Sequence, residues 1–253
     1  MHHFNLMYPD LINSTDRQYY NVTQINDLKP CQTKDLKIFY INIRSLSSKF
    51  DQLQAYLSSF KFSFDIICLT ESWLTEHNKH LFSINGYRQF NSLRDLNKRG
   101  GGVTIYVNNF IECNVIQNCS ISTPTIESLF LQLFINSKKY TLATVYKPPS
   151  VNCDTFTETI SRLLTSQSVK ASNETILCGD FNMDMINYDN HNGTRMFLNT
   201  MNVLSLMPII SKPTRITERC ATLLDNFFNN SPSPFLKGCI VSDISDHLPL
   251  FLI

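Results

Sequence analysis

Short apolar runs rich in β-branched and aromatic residues recur along the whole chain, and they constrain its fold more than any other feature. "LKIFYIN" (Leu36–Asn42), "FDIICLT" (Phe64–Thr70), "GVTIYV" (Gly102–Val107) and "IESLFLQLFI" (Ile126–Ile135) read as strands. So do "YTLATVY" (Tyr140–Tyr146), "TILCGD" (Thr175–Asp180), "TLLDNFF" (Thr222–Phe228) and "HLPLFLI" (His247–Ile253). Fewer stretches keep helical spacing. Phe50, Leu53, Leu57 and Phe60 share one helical face, with Ser47 or Ser48 as N-cap; Asp154 caps a helix carrying Phe156, Ile160, Leu163 and Leu164; residues 193–206 are mostly helical. A hairpin is expected around Asn136-Ser137-Lys138-Lys139, and a Gly-rich turn (Gly100–Gly102) feeds a strand. Hairpins mixed with α/β crossings predict an α/β sandwich built on two packed sheets.

The 253 residues suit one such domain, and 43% hydrophobic content supplies its core. Residues 1–34 are polar and aperiodic and read as a leader or linker, leaving 35–253 as the domain. A net charge of +1 creates no global field for nucleic acid or membrane, so local groups or a metal must hold an anionic substrate. No apolar stretch approaches the roughly 20 residues that span a bilayer, and the start lacks a basic-then-apolar signal. The eight cysteines form no CxxC pair and no zinc spacing. Cys68 and Cys178 sit inside apolar runs as small core residues, which fits a reduced intracellular setting. Sequons at Asn13, Asn21, Asn118, Asn173 and Asn192 follow from an Asn- and Ser-rich composition.

The core strands carry polar groups at one end: Asn42, Glu71, Tyr146, Asp180 with Asn182, Asp225, and Asp246-His247. Taken singly, each reads as a turn or rim residue. Together they point to a shared site, because sheet ends are where function gathers in α/β proteins. In "GDFN" the i, i+2 spacing of a strand would aim Asp180 and Asn182 at one point. Glu71, helped by Asn42 or Asp246, offers hard oxygen ligands for Mg²⁺ or Mn²⁺. Asp180 can act as base on a water that Asn182 helps to fix. His247, protonated and oriented by a carboxylate such as Asp225, can meet developing phosphorane charge, with the Tyr146 hydroxyl on a phosphate oxygen. Such a set cleaves phosphodiesters.

The ordered motifs "NIRSL", "LTESWL", "GGGVTIYV", "VYKPP", "GDFNMD", "TLLDNFF" and "SDHLPL" resemble the endonuclease/exonuclease/phosphatase superfamily over residues 36–253. Within it, "FDQLQAYLSSFKFSFDIICLTESWL" and "SKPTRITERCATLLDNFFNN" look like the apurinic-type endonuclease domain of LINE-like non-LTR retrotransposons. The resemblance implies a four-layer α/β sandwich of two mostly antiparallel mixed sheets flanked by helices, as in deoxyribonuclease I. It implies a Mg²⁺-dependent hydrolase, with Mn²⁺ able to substitute, that nicks one strand of double-stranded DNA to leave 3′-hydroxyl and 5′-phosphate ends. Such an enzyme works in the nucleus and needs no organic cofactor and no membrane.

Residue by residue, the resemblance makes Glu71 the main metal ligand, with Asp246 near the metal, and Asn42 the group that positions ligands and phosphate. Tyr146 and His247 contact the scissile phosphate, Asp180 orients or deprotonates the water with support from Asn182, and Asp225 orients His247. Thr222 is a secondary substrate contact. Arg215, in the "KPTRIT" loop, is expected on the DNA backbone, and Lys98-Arg99, Lys138-Lys139 and Lys212 are further loop cations.

Two departures stand out. Arg44 occupies the place of an acidic second metal-site residue in some repair relatives, and the sequence stops six residues after His247 with no reverse transcriptase behind it. An excised domain, a truncated element copy or a derived gene product would each read this way. The same fold acting on an RNA tail, a phosphoinositide or sphingomyelin, or persisting as an idle binding module, are the competing readings. The wording of "PTRIT" and "TLLDNFF" favours the endonuclease.

Overall fold

The computed structural model describes residues 18–28, 36–94, 100–231 and 236–253. The chain runs β1 (Tyr19–Tyr20), α1 (Val22–Asp27), β2 (Ile38–Asn42), α2 (Leu46–Ser58), β3 (Ile66–Thr70), β4 (Tyr87–Ser92), β5 (Val103–Asn108), β6 (Glu112–Val115), β7 (Glu127–Ile135) and β8 (Lys138–Tyr146). It continues through α3 (Cys153–Leu164), α4 (Gln167–Lys170), β9 (Glu174–Asp180), α5 (Asn192–Val203), β10 (Met207–Pro208), β11 (Arg215–Ile216), β12 (Ala221–Thr222), β13 (Asp225–Asn229), β14 (Lys237–Ile240) and β15 (Leu250–Leu252). One sheet has the order β1-β14-β15-β2-β3-β5-β4 and the other β10-β13-β9-β8-β7-β6, while β11 and β12 form a small separate ribbon. The β2–β3, β8–β9 and β1–β14 pairs are parallel and the remaining pairs antiparallel. This is the two-sheet sandwich with flanking helices that the sequence predicts.

Strand alternation decides what faces what. Ile38 and Tyr40 of β2, with Ile66 and Cys68 of β3, pack into the core between the sheets. Phe39, Ile41, Ile67 and Leu69 point the other way, into a second cluster closed by Leu46 and Leu53 of α2. The other sheet does the same. Phe227 meets Tyr40 edge-on between the sheets, and Phe228 meets Phe181 and Phe197 of the outer layer. The even parity of Ile38 and Tyr40 continues to Asn42. A polar residue at the end of β2 therefore looks inward, toward the opposite sheet.

Several local expectations are corrected. Residues 18–28, assigned by sequence to the leader, add β1 and α1 to the fold, with Tyr20 edge-on to Phe251. A two-residue strand has no periodicity to read. Helix α2 begins at Leu46 after Ser45, so neither Ser47 nor Ser48 is its cap. Asn152, rather than Asp154, caps α3 by accepting from the Asp154 N–H. The 193–206 helix is Asn192–Val203. The hairpin turns on Asn136 and Ser137, both left-handed (φ 50° and 63°), which is the two-residue turn that matches strand twist. Lys138 and Lys139 consequently open β8, whose other end is Tyr146, roughly 25 Å away at about 3.3 Å per residue. Lys98-Arg99 fall outside the described residues.

Gly179 sits where β9 is squeezed between β8 and β13, and a Cβ there would collide with the Val145 carbonyl oxygen. Gly179→Ala is expected to destabilise the fold by about 1–3 kcal/mol, the range for overpacking. Urea unfolding monitored by tryptophan fluorescence checks this, and a midpoint equal to wild type would show that the strands part without cost.

Candidate active site

The inward parity of several strands brings one polar group each to the same end of the sandwich. Tyr146, Asp180 and Asp225 lie in one row, because Asp180 pairs with Tyr146 on one side and with Asp225 on the other. Asn42 faces them from β2 and donates its Nδ2 to Glu71 Oε1 at 3.0 Å and to Asp180 Oδ2 at 2.8 Å. That one amide ties the two sheets together at the site.

Glu71 follows β3 on a residue with φ 50°, and Arg44, Ser45, Trp73 and Asn182 nearby also have positive φ. Non-glycine residues rarely adopt this region, and such a cluster marks a place where the surrounding structure holds the backbone. The holding contacts are explicit: Ser45 N–H to Glu71 O, Leu46 N–H to Ser72 O, and Trp73 N–H to Gly101 O. Gly101 and Gly102, at φ 73° and 86°, make that turn possible, and Glu127 accepts from the Gly102 N–H while pairing with Arg94. The Glu71 carboxylate also accepts from Trp73 Nε1 at 3.2 Å.

Asp180 is buried and accepts from the Asn182 N–H at 2.9 Å. Strand spacing does not bring these two together. β9 ends at Asp180 and the chain turns back, so Asn182 reaches Asp180 as a turn residue and spends its amide mainly on Lys147 O at 2.7 Å. Burial, and then the neighbouring Asp225 charge, push the Asp180 acid up to about 7.

Asp225 is fully buried and accepts from Tyr40 (2.9 Å), Thr214 (2.7 Å) and His247 Nδ1 (2.7 Å). Burial works against a charged imidazole at His247, but Asp225, with Asp180 and Asp246 behind it, outweighs burial and lifts His247 to about 9. With Nδ1–H donated to Asp225, Nε2 has no hydrogen-bond partner among the described residues and is left for a ligand. Burial first, then Glu71 and Asp180, keep the Tyr146 phenol protonated.

Asp246 borders this network and acts on His247 by charge. Its Oδ2 accepts from both Arg44 Nη1 (2.7 Å) and Arg215 Nε (3.0 Å), which overcome partial burial and hold the acid at about 2. Arg215 lies in β11, bridged to His247, rather than in a loop, and Thr222 is its partner across the ribbon. Thus Asn42, Glu71, Tyr146, Asp180, Asn182, Asp225 and His247 meet in one cluster, with Asp246, Arg215 and Thr222 on its rim. Tyr40, Thr214 and Trp73 are additional members. Tyr40 was within reach of strand alternation, being two residues before Asn42, whereas nothing in the sequence marks Thr214.

Among the described residues, Asp180, Asp225 and His247 form a set that could hold a metal ion, their ligand atoms lying within 4.8 Å of one another. Hard oxygens are plentiful here, which fits Mg²⁺ or Mn²⁺ better than a softer metal.

The model of the Endonuclease/Exonuclease/phosphatase family matches residues 39–247. The chain belongs to that family. Among solved structures, the endonuclease domain of TRAS1, a telomere-specific non-LTR retrotransposon, is 14% identical, with 86% of this chain and 97% of that one covered and a TM-score of 0.64. An AP endonuclease from Archaeoglobus fulgidus is 17% identical, with coverage of 87% and 99% and a TM-score of 0.63. The 3′ phosphatase NExo from Neisseria, bound to a product DNA hairpin, is 14% identical, with coverage of 87% and 99% and a TM-score of 0.63. At these identities the likeness establishes the fold. No curated protein sequence matches the chain. As a member of this family of hydrolytic nucleases and phosphatases, the chain carries the fold and an acidic cluster suited to a metal. No helix among the described residues is long and apolar enough to cross a membrane.

Proposed function

We propose that this family member is a Mg²⁺-dependent DNA endonuclease that hydrolyses one phosphodiester of a duplex and leaves 3′-hydroxyl and 5′-phosphate ends. The observation that carries the reading is the Asn42 amide, which links the Glu71 carboxylate to Asp180 beside the His247–Asp225 pair. A hard oxygen ligand, a carboxyl poised near 7 and a protonated imidazole thereby converge on one point. The likeness to an endonuclease domain and to a phosphatase bound to DNA supports a nucleic-acid substrate. Nicking of a target site, as non-LTR retrotransposons perform it, is the specific form we favour.

Glu71 would hold the cation, because its carboxylate faces the site among neutral donors, Asn42, Trp73 and the Tyr146 hydroxyl. Asp225 and His247 Nδ1 are committed to each other, so they serve better as a dyad than as ligands. A bound divalent cation would supply Lewis-acid stabilisation of phosphate charge. Asp180 takes the proton of the attacking water, oriented by Asn42 and the Asn182 N–H. Tyr146 donates its hydroxyl to a phosphate oxygen. His247, held as imidazolium by Asp225, donates Nε2–H to the developing charge as the water oxygen bonds to phosphorus and the P–O3′ bond breaks, the 3′-oxygen leaving as a hydroxyl with a proton from solvent.

A supercoiled plasmid incubated with Mg²⁺ should pass to the open-circular form, EDTA should abolish the conversion, and end-labelling should find 3′-hydroxyl and 5′-phosphate. Plasmid left supercoiled at all Mg²⁺ concentrations would sink the proposal. Glu71→Gln should weaken Mn²⁺ binding by at least roughly tenfold, since even a supporting group around a metal is worth that much. Calorimetric titration measures it, and an unchanged isotherm removes Glu71 as a ligand.

A further inference from the structure

The rim of the site holds a group of charges that the cleavage chemistry leaves unused. Arg44 and Arg215 both donate to the same oxygen of Asp246, and all three side chains remain partly exposed, at 47%, 38% and 30%. Lys49, in the first turns of α2, lies close enough for Asp246, Arg44 and Glu71 all to act on its charge. Three cations against two carboxylates, Asp246 and Glu71, leave a surplus of one positive charge on this rim, in a chain whose net charge is only +1. The surplus is also placed with care. The Arg44 N–H donates to Asn42 Oδ1, so its backbone is fixed to the residue that ties Glu71 to Asp180. Arg215 is bridged to His247, the neighbour of Asp246.

Each guanidinium has five donors in a planar fork and the described structure uses one of each on Asp246. The remaining donors suit the two free oxygens of a phosphodiester. Asp246 and His247 are consecutive and Arg215 is bridged to His247, so this second anion position adjoins the first. We propose that Arg44 and Arg215, gathered by Asp246, form a subsite for the phosphate next to the one cleaved. The substrate is then a polynucleotide strand rather than a phosphomonoester or a lipid headgroup, and Asp246 gathers arginines instead of ligating the cation. The inference rests on the hydrolytic site proposed above and deepens it.

The test separates the two. DNA binding is measured in EDTA by anisotropy with a defined duplex across a salt series, where turnover plays no part. Arg44→Ala should flatten the slope of log affinity against log salt by about one unit, as should Arg215→Ala, while Arg44→Lys should keep most of it as a point charge. A methylphosphonate that neutralises one phosphate beside the nick should weaken binding to wild type more than to Arg44→Ala, in which Arg215 alone remains. Asp246→Asn should leave the Mn²⁺ isotherm unchanged. A slope equal to wild type in Arg44→Ala, equal sensitivity of both proteins to the neutral phosphate, or lost Mn²⁺ binding in Asp246→Asn would overturn the subsite. A wild type that nicks plasmid yet gives those results loses the subsite alone, whereas one that neither nicks nor binds duplex loses both readings.

Discussion

His247→Ala and Asp225→Asn should each lower turnover by about 10²–10³-fold, and the double variant should be scarcely worse than His247→Ala. The single losses have the size of removing one electrostatic stabiliser. The lack of further loss follows from the contact: Asp225 Oδ2 lies 2.7 Å from His247 Nδ1, and with the ring gone the carboxylate has nothing to orient. Fully multiplicative losses in the double-mutant cycle would show that the residues act independently.

The same pair sets a pH dependence. His247 is lifted to about 9, so it is charged throughout the neutral range and loses its proton as pH rises through about 9. Activity that needs the imidazolium should therefore fall on the alkaline side. Asp225 favours the charged form, so Asp225→Asn should move that limb toward lower pH. An alkaline limb that stays in place in the variant would mean that another group titrates there.

How much of this was legible in the sequence varies by residue, for physical reasons. Strands such as β2, β3 and β9 were visible because buried β-branched runs bounded by turn residues have few other ways to fold. The strand-end polar residues were visible for the same reason, since they interrupt those runs. Elements of two residues, such as β1 and the β11–β12 ribbon, carry no periodic signal and exist through their partners. The environment of Asp225 was half legible. Tyr40 shares the parity of Asn42, but Thr214 reaches Asp225 only because the chain folds back between β10 and β13. Least legible was the fate of Asp246. Its partner Arg44 is 202 residues away in sequence, and only the fold brings the two together.

Asp180→Asn should lower turnover by at least about 10²-fold, the lower end of what a general base contributes, while DNA binding persists or tightens. The side chain accepts from Asn42 Nδ2 at Oδ2 and from the Asn182 N–H at Oδ1, and an isosteric amide fills the same space and keeps one of the two bonds, a loss of about 1–3 kcal/mol. The fold should thus survive, and negative charge that would repel phosphate is removed. Burial and Asp225 hold the acid near 7, so in wild type the ionised form gains population as pH rises through about 7, giving an acid-side limb to the rate. That limb should vanish from the residual activity of the variant, because an amide does not titrate. Single-turnover cleavage across pH, paired with anisotropy binding, separates the roles. Loss of cleavage that merely follows loss of binding, or an acid limb retained in the variant, would take the proton-accepting role away from Asp180.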